Sequence, residues 1–352
     1  MTVPADQIKK ILIIRFSSIG DIILSTPLIR AVRKHYPEAE IDFVVKQEFI
    51  DLVKTNPHLN HIYVFDKSKL NDLRRIKKEV RSKGYHWVID IHKNFRSRIL
   101  RKGIGAKVTS YHKMIWKRTL LVWWGWNFFK QIIPVYQKYF QAVEPMGIKY
   151  DGMGTEVVVP KDIQDIVKDK LIKGGYETQR PLITICPGAS FANKRWLPDR
   201  FARLADKLRQ SYQAQIAFAG GPQDHELCKQ IIGQLPFGRA FNFAGKFDLL
   251  QSAALLGHSS LVITNDSGLM HLAQAQKVPV VAIFGSTTGE LGYFPLPGKS
   301  VVVELPVSCR PCSHNGLDKC PKGHFKCMKD ITEDQVIQAC TKLIPIEVTA
   351  ST

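Results

Sequence analysis

The chain has 352 residues, 45% of them hydrophobic, with a mean hydropathy of −0.11 and a formal net charge of +19. The length exceeds one ordinary core and predicts two domains, and the composition excludes a disordered or fibrous chain. No apolar run approaches the ~20 residues that cross a bilayer, the opening MTVPADQIKK carries no signal-peptide stretch, and the charge calls for an anionic partner.

In chain order, apolar strands read at 11–16, 41–45, 62–65, 87–91 and 108–111, with helical spacing over 20–36 and 70–83. Short β-rich runs alternating with helices predict a parallel sheet covered on both faces. Pro27 implies that the first helix is either kinked or properly begins there. The Asp151-Gly152-Met153-Gly154 stretch reads as a linker, after which the same grammar restarts. Strands follow at 182–186, 215–219, 241–243, 261–264 and 278–284, with helices near 198–211, 223–234, 248–257, 267–276 and 332–343. The expected architecture is α/β, two Rossmann-like doubly wound domains facing a central cleft, spanning 1–150 and 151–352.

The charge is unevenly spread. Residues 1–150 hold 28 Lys and Arg against 12 Asp and Glu, and residues 151–352 hold 22 against 19. Between Asp90 and Glu144 eleven basic residues fall with no acid among them. Scattered lysines are usually a solvated face, but a run this long implies an anionic partner for the N-terminal half: nucleic acid, acidic lipid, or a phosphorylated or carboxylated glycan. Trp116, Trp123, Trp124 and Trp126 lie in the same run. Aromatic rings among lysines suit core packing or a membrane interface, and peripheral attachment to a membrane is the reading favoured here.

In doubly wound folds ligands sit at the carboxyl ends of the strands, so three loops are the candidates for chemistry. Ser17–Asp21 (SSIGD) follows the first strand; Gly20 would allow a tight turn and leave Asp21 at a helix start, where taken alone it could simply complement the dipole. Pro187–Trp196 (PGASFANKRW) offers backbone N–H groups, the Ser190 hydroxyl and the point charge of Lys194, a donor set suited to a diphosphate. Thr264–Ala273 (TNDSGLMHLA) ends a strand at Asp266, opens a helix with Ser267 and Gly268, and places His271 one turn in; N–H groups at a helix start bind phosphate.

Cys309, Cys312, Cys320 and Cys327 form C-x2-C-x7-C-x6-C, with His314 and His324 nearby. That spacing allows a structural zinc ion, a disulfide-bonded loop or free thiols. Cys186, Cys228 and Cys340 read as small core residues.

Taken together, ILIIRFSSIGDIILSTPLIRAVRKHYP at 11–37, CPGASFANKRWLPDRFARLADKL at 186–208, TNDSGLMHLAQAQKVPVVAIFGST at 264–287 and the Cys-rich tail at 309–332 resemble glycosyltransferase family 9, the ADP-heptose:lipopolysaccharide heptosyltransferases. The resemblance implies the GT-B fold, with the acceptor on the N-terminal domain, the nucleotide sugar on the C-terminal domain, and a last helix that crosses back onto the first domain. It implies an inverting transfer of heptose from ADP-heptose to the lipopolysaccharide inner core, a lipid A acceptor bearing Kdo sugars, without a required cofactor or metal.

By the same resemblance Asp21 is the general base and Lys194 stabilises the leaving phosphate. Ser190 and the amides of Ser267 and Gly268 hold the phosphates, while Asp266 and His271 orient the donor. The family's ribose-binding acid falls at AGGPQDHE, which offers Asp224 and Glu226; Glu226 is carried as the candidate. Ala189 replaces a hydroxyl residue that some members have beside Ser190. Acceptor contacts are expected at Ser18, Gly20, Lys93, Arg96 and Arg98. The expected location is cytoplasmic, at the inner-membrane surface. Rival readings are a transferase using a UDP or GDP sugar, a catalytically idle binding module, and a basic nucleic-acid-binding protein; for the last, no helix-turn-helix, RRM or KH signature is present and no nucleic-acid partner is expected.

Overall fold

A computed structural model describes residues 8–236 and 240–345. The first three strands, β1 (Lys10–Ile14), β2 (Glu40–Lys46) and β3 (His61–Phe65), are joined in one parallel sheet by β4 (Trp87–Asp90) and β5 (Lys107–Ser110), in the order β3-β2-β1-β4-β5. Ile11 of β1 sits between Ile41 and Trp87 in register, and Ile13 between Phe43 and Ile89. Ile11, Leu12, Ile13 and Ile14 are all fully buried, which is why this strand reads as an unbroken apolar run rather than an alternating one. Helices α1 (Ile19–Ile23), α2 (Thr26–His35), α3 (Asp72–Ser82), α4 (Phe95–Arg101), α5 (Ile115–Trp124) and α6 (Val135–Phe140) belong to the same half of the sequence. The expected first helix is two: α1 ends before Ser25, and α2 begins with Pro27 in its first turn, where a missing N–H costs nothing.

After α7 (Lys161–Lys173) comes the second all-parallel sheet, with strands β6 (Leu182–Cys186), β7 (Gln215–Phe218), β8 (Phe241–Asn242), β9 (Leu261–Asn265), β10 (Val280–Ile283) and β11 (Ser300–Val303). Their order is β11-β10-β9-β6-β7-β8. The intervening helices are α8 (Pro198–Tyr212), α9 (His225–Ile232), α10 (Leu249–Gly257) and α11 (Gly268–Ala275), followed by α12 (Lys326–Lys329) and α13 (Glu333–Thr341). Phe201, Leu204 and Leu208 of α8 recur at helical spacing and pack with Ile183, Ile216 and Phe218 of the sheet in one apolar core. Helix α13 packs on α8 and beside β11; Arg200 of α8 reaches Glu333 at 2.7 Å, and Arg203 pairs with the same carboxylate.

The chain divides into two compact units. One holds the residues up to Lys113 together with Ile133–Val158; the other holds Met114–Ile132 together with the residues from Val159 onward. The segment bearing α5 is thus inserted in the sequence of the first unit but packs with the second. The expected linker at 151–154 is pinned rather than loose. Arg30 of α2, largely buried, donates to Asp151 Oδ2 at 2.7 Å and to the Gly154 carbonyl at 2.9 Å, and pairs with Glu156 at 2.9 Å.

Candidate functional site

In a doubly wound sheet the crevice for ligands opens where the strand order reverses. In the first sheet that point lies between β1 and β4, and in the second between β6 and β9. The Asp21 and Lys194 loops lie at these two places.

At the first, Arg15 lies directly beyond β1 and Asp21 lies in α1. Arg15 Nη2 is 2.6 Å from Asp21 Oδ2. Ser18 donates to the same oxygen from its backbone N–H at 3.3 Å and from its hydroxyl at 3.0 Å, and Tyr139 of α6 donates its hydroxyl to Oδ1 at 3.0 Å. Burial alone would raise the Asp21 pKa. The Arg15 charge and the hydrogen bonds from Ser18 and Tyr139 outweigh it and hold the carboxyl at about 2. Arg15 is itself fixed, donating to the Ser17 carbonyl at 2.7 Å and to the Ile91 carbonyl, beyond β4, at 2.6 Å.

His92 follows β4, its ring edge-on to Phe16 with centroids 5.3 Å apart. Burial, reinforced by the charges of Arg15 and Lys113, pushes its pKa down to about 3, so the imidazole is neutral. Lys113 is shifted downward as well, by burial and then by Arg15.

The expected acceptor residues divide. Ser18 joins the Asp21 cluster. Lys93 donates to the Tyr111 carbonyl at 3.0 Å, whereas Arg96 and Arg98 are exposed on α4. Gly20 does not make the tight turn expected of it: it is a buried residue within α1, with no left-handed φ.

At the second switch point the loops after β6, β9 and β10 converge. Lys194, in a 3-10 turn after β6, places Nζ 2.6 Å from Asp266 Oδ2, and Thr287, beyond β10, donates to that same oxygen at 2.6 Å. Both charged groups are largely buried, and an ion pair with an added hydroxyl donor is what makes such burial tolerable. Asn265, the last residue of β9, ties the loops together: its side chain accepts from the Trp196 N–H at 3.1 Å and donates to the Pro187 carbonyl at 2.7 Å. Asn193 likewise accepts from the Leu317 N–H at 2.8 Å and the Ser286 hydroxyl at 3.1 Å. Ser267 caps α11 in extended conformation, Gly268 opens the helix, and His271 is buried within it at 3% exposure. Ser190 is exposed on the Pro187–Trp196 loop, which Arg195 closes by donating to the Ala189 carbonyl at 2.8 Å.

The two acids of AGGPQDHE have separate fates. Asp224 is buried, accepts from the Gly221 N–H at 2.9 Å, and packs so closely on the Pro187–Trp196 loop that a Cβ on Gly188 would lie 2.3 Å from its carboxyl carbon. Burial shifts its pKa upward. Glu226 is exposed in the first turn of α9 and free of that bracing role.

The zinc site that the cysteine spacing allowed is not assembled. Cys309, Cys312, Cys320 and Cys327 are all free thiols. Cys309 Sγ lies 3.7 Å from His324 Nε2, while Cys312 turns its thiol to the Cys309 carbonyl at 3.3 Å. Burial, with the neighbouring Cys309 and Cys327, pushes the Cys312 thiol up to about 12, and burial raises Cys327 too. Among the described residues, no group of three or more His, Cys, Asp or Glu is arranged to hold a metal ion.

Sequence reasoning missed Arg15, Tyr139 and His92 around Asp21, and Thr287, Asn265 and Asn193 around Lys194. Arg15 and Asn265 stood inside quoted motifs at strand ends, a position that could have marked them. Tyr139 carried no signal of its own.

Residues 73–320 match the model of glycosyltransferase family 9 (heptosyltransferase). The chain is 27% identical over 288 residues to lipopolysaccharide heptosyltransferase 3 of Escherichia coli K12, covering 76% of this chain and 80% of that protein. It superposes on a family 9 glycosyl transferase from Veillonella parvula with a TM-score of 0.79, at 25% identity over 97% of this chain and 98% of the other. For the structure of E. coli ADP-heptose lps heptosyltransferase II the TM-score is 0.74, at 24% identity over 95% and 98% of the two chains. The two doubly wound parallel-sheet units have the GT-B fold of these structures. Family, fold and loop constellation agree, and the chain belongs to glycosyltransferase family 9, the heptosyltransferases.

Proposed function

We propose that this glycosyltransferase moves heptose from ADP-heptose onto the inner core of lipopolysaccharide, with Asp21 as the general base. The observation that carries this reading is the division of chemistry between the switch points. An ionised carboxylate stands at one, and a lysine with two strand-end loops and a helix start stands at the other. Transfer needs both functions. An acceptor hydroxyl gives its proton to the Asp21 carboxylate as its oxygen attacks the anomeric carbon. The bond from that carbon to the diphosphate breaks, and ADP departs with the electron pair, with inversion at carbon.

Lys194 is the stabiliser of the charge growing on the diphosphate, helped by the Ser190 hydroxyl and the N–H groups of Ser267 and Gly268. With the donor bound, the Lys194 ammonium is shared between Asp266 and phosphate oxygen. Asp266 and His271 orient the donor, and exposed Glu226 is the acid for the ribose, since Asp224 is used in bracing the loop. Ser18, Gly20, Lys93, Arg96 and Arg98 face the anionic acceptor in this reading, and the basic N-terminal half draws in its phosphates and carboxylates. Residues 1–150 then form the acceptor domain and residues 151–352 the donor domain, apart from the α5 segment. No helix among the described residues is long and apolar enough to cross a membrane, and a lipid-linked acceptor would be met by peripheral association with the cytoplasmic side of the inner membrane. No cofactor or resident metal enters the scheme.

The test is a thermal-shift screen with ADP, UDP, GDP, CMP and ADP-heptose, because a ligand that prefers the native state raises its melting temperature. Selective stabilisation by ADP and ADP-heptose is expected. Stabilisation by UDP or GDP alone would overturn the donor assignment and leave the family intact.

A further inference from the structure

The six tryptophans separate into two populations. Trp87 and Trp196 are 1% and 2% exposed, whereas Trp116, Trp123, Trp124 and Trp126 are 58%, 71%, 56% and 57% exposed. Phe128 and Ile132, at 48% and 56%, continue the same surface. Half of the large apolar side chains exposed among the described residues fall within this one stretch of sequence. Indole rings left in water at this density are not the scattered apolar exposure of an ordinary surface.

The segment is held in place by polar contacts on its other side. Arg118 of α5 donates to the Leu291 carbonyl at 2.7 Å and lies over the Tyr293 ring, and Asn127 donates to Glu290 at 3.2 Å. Leu121 is the buried residue of α5. The rings therefore do not lack a fold to join; they are presented outward from a fastened helix. Trp123, Trp124 and Trp126 lie against one another, with centroids 5.8 and 6.2 Å apart, and Trp116 against Phe128 at 6.1 Å. Lys117 lies over the Trp116 ring at 5.3 Å, Lys130 is exposed beside the cluster, and no acidic side chain occurs from Ile91 to Val143.

We propose that Met114–Ile132 is a membrane-docking element that seats its indole rings in the interface of a bilayer containing anionic lipid. Charge complementarity selects this occupant: an exposed apolar segment that carries Lys117, Arg118 and Lys130 and no acid of its own suits acidic headgroups above acyl chains. The shape agrees, since a helix of ten residues is only about 15 Å long and far too short to span, and lies on a membrane rather than through it. The proposal deepens the proposed function, on which it rests for its purpose, by naming the element that brings the enzyme to a lipid-linked acceptor.

The full-length protein is mixed with vesicles of phosphatidylcholine alone and with vesicles that also contain phosphatidylglycerol, without any nucleotide sugar. Co-sedimentation with the anionic vesicles, a blue shift of tryptophan emission and quenching by brominated acyl chains are expected. The Trp123→Ser/Trp124→Ser double variant should lose about tenfold in partitioning while the buried Trp87 and Trp196 report an intact fold. Equal partitioning of the double variant, or binding without an emission shift, would overturn the proposal. So would a wild-type self-association that the variant dissolves in the absence of vesicle binding, since the patch would then serve a second copy of the chain. Transfer to a delipidated, soluble acceptor is measured separately. Its failure in the wild type would remove the proposed function and leave the vesicle result standing.

Discussion

The guanidinium of Arg15 and the carboxylate of Asp21 are 2.6 Å apart, and they belong to one strand end and the short helix that follows it. The pair sets the character of the proposed base. Asp21 is ionised throughout the neutral range and needs no titration to accept a proton, but its basicity is low until the acceptor displaces part of its present hydrogen bonding. Replacing Asp21 by Asn keeps shape and removes the proton acceptor. Transfer should fall by roughly 100- to 10,000-fold while ADP affinity, which rests on the second unit in this account, stays within about twofold of the wild type. Calorimetric titration with ADP beside a transfer assay checks both; loss of ADP binding would remove Asp21 from the role of base.

The sign of the pH effect follows from the depressed pKa. The stabilisation that Asp21 gives the fold is present above the unfolded carboxyl value of about 3.9 and is lost as pH falls through about 2. In the wild type the acid limb of transfer due to this group lies near 2, below the range in which the reaction is measured. Arg15→Gln removes the charge that outweighs burial, so the acid limb should rise above pH 4. Tyr139→Phe, which removes one hydrogen bond of 3.0 Å, should move it in the same direction by less. Profiles of kcat from pH 4 to 8 decide the matter, and superimposable profiles would exclude Asp21 as the ionising group.

Lys194→Met leaves Asp266 buried with Thr287 as its remaining side-chain hydrogen-bond donor. Breaking one side of a buried pair is costly, and about 3 kcal/mol of stability should be lost in urea unfolding. Adding Asp266→Asn should restore most of it. Donor binding and transfer should remain poor in both variants, because stability returns without the cation. Recovery of transfer in the double variant would place Lys194 outside the chemistry.

Gly188→Ala and Glu226→Gln separate the two acids of the AGGPQDHE loop. A methyl group at Gly188 would collide with the Asp224 carboxyl at 2.3 Å, so the loop must shift, at a cost of about 1–3 kcal/mol, and ADP binding should weaken with it. Glu226→Gln should leave the melting temperature unchanged and weaken ADP about tenfold, the scale of one charge-assisted hydrogen bond. Unaltered ADP affinity would mean that Glu226 does not reach the ribose.

The fold was legible because its parallel strands are covered on both faces. Runs such as Ile11–Ile14 and Val280–Ile283 carry no polar interruption and announce themselves as buried strands. Several elements escaped, the short helices α4, α5, α6 and α12 among them, and two show why. The edge strand β11 has a short run, Ser300–Val303, only partly buried, and α7 buries just Val167 and Leu171, too few positions to show a period. The site was legible where chemistry sits in a contiguous loop at a strand end, as with Asp21, Lys194 and Asp266. It was illegible where a partner arrives through tertiary structure, as with Tyr139, which is 118 residues from Asp21. The inserted packing of Met114–Ile132 with the second unit was hidden for the same reason: its polar anchors include the Leu291 carbonyl and Glu290, whose sequence shows nothing of that use.

The most direct test is to incubate the protein with ADP-heptose and a Kdo-bearing inner-core acceptor and to follow the acceptor by mass spectrometry and the release of ADP. The account predicts that one heptose is added per ADP released, and that Asp21→Asn forms neither. Release of no ADP, with a sugar transferred instead from a UDP or GDP donor, would contradict it.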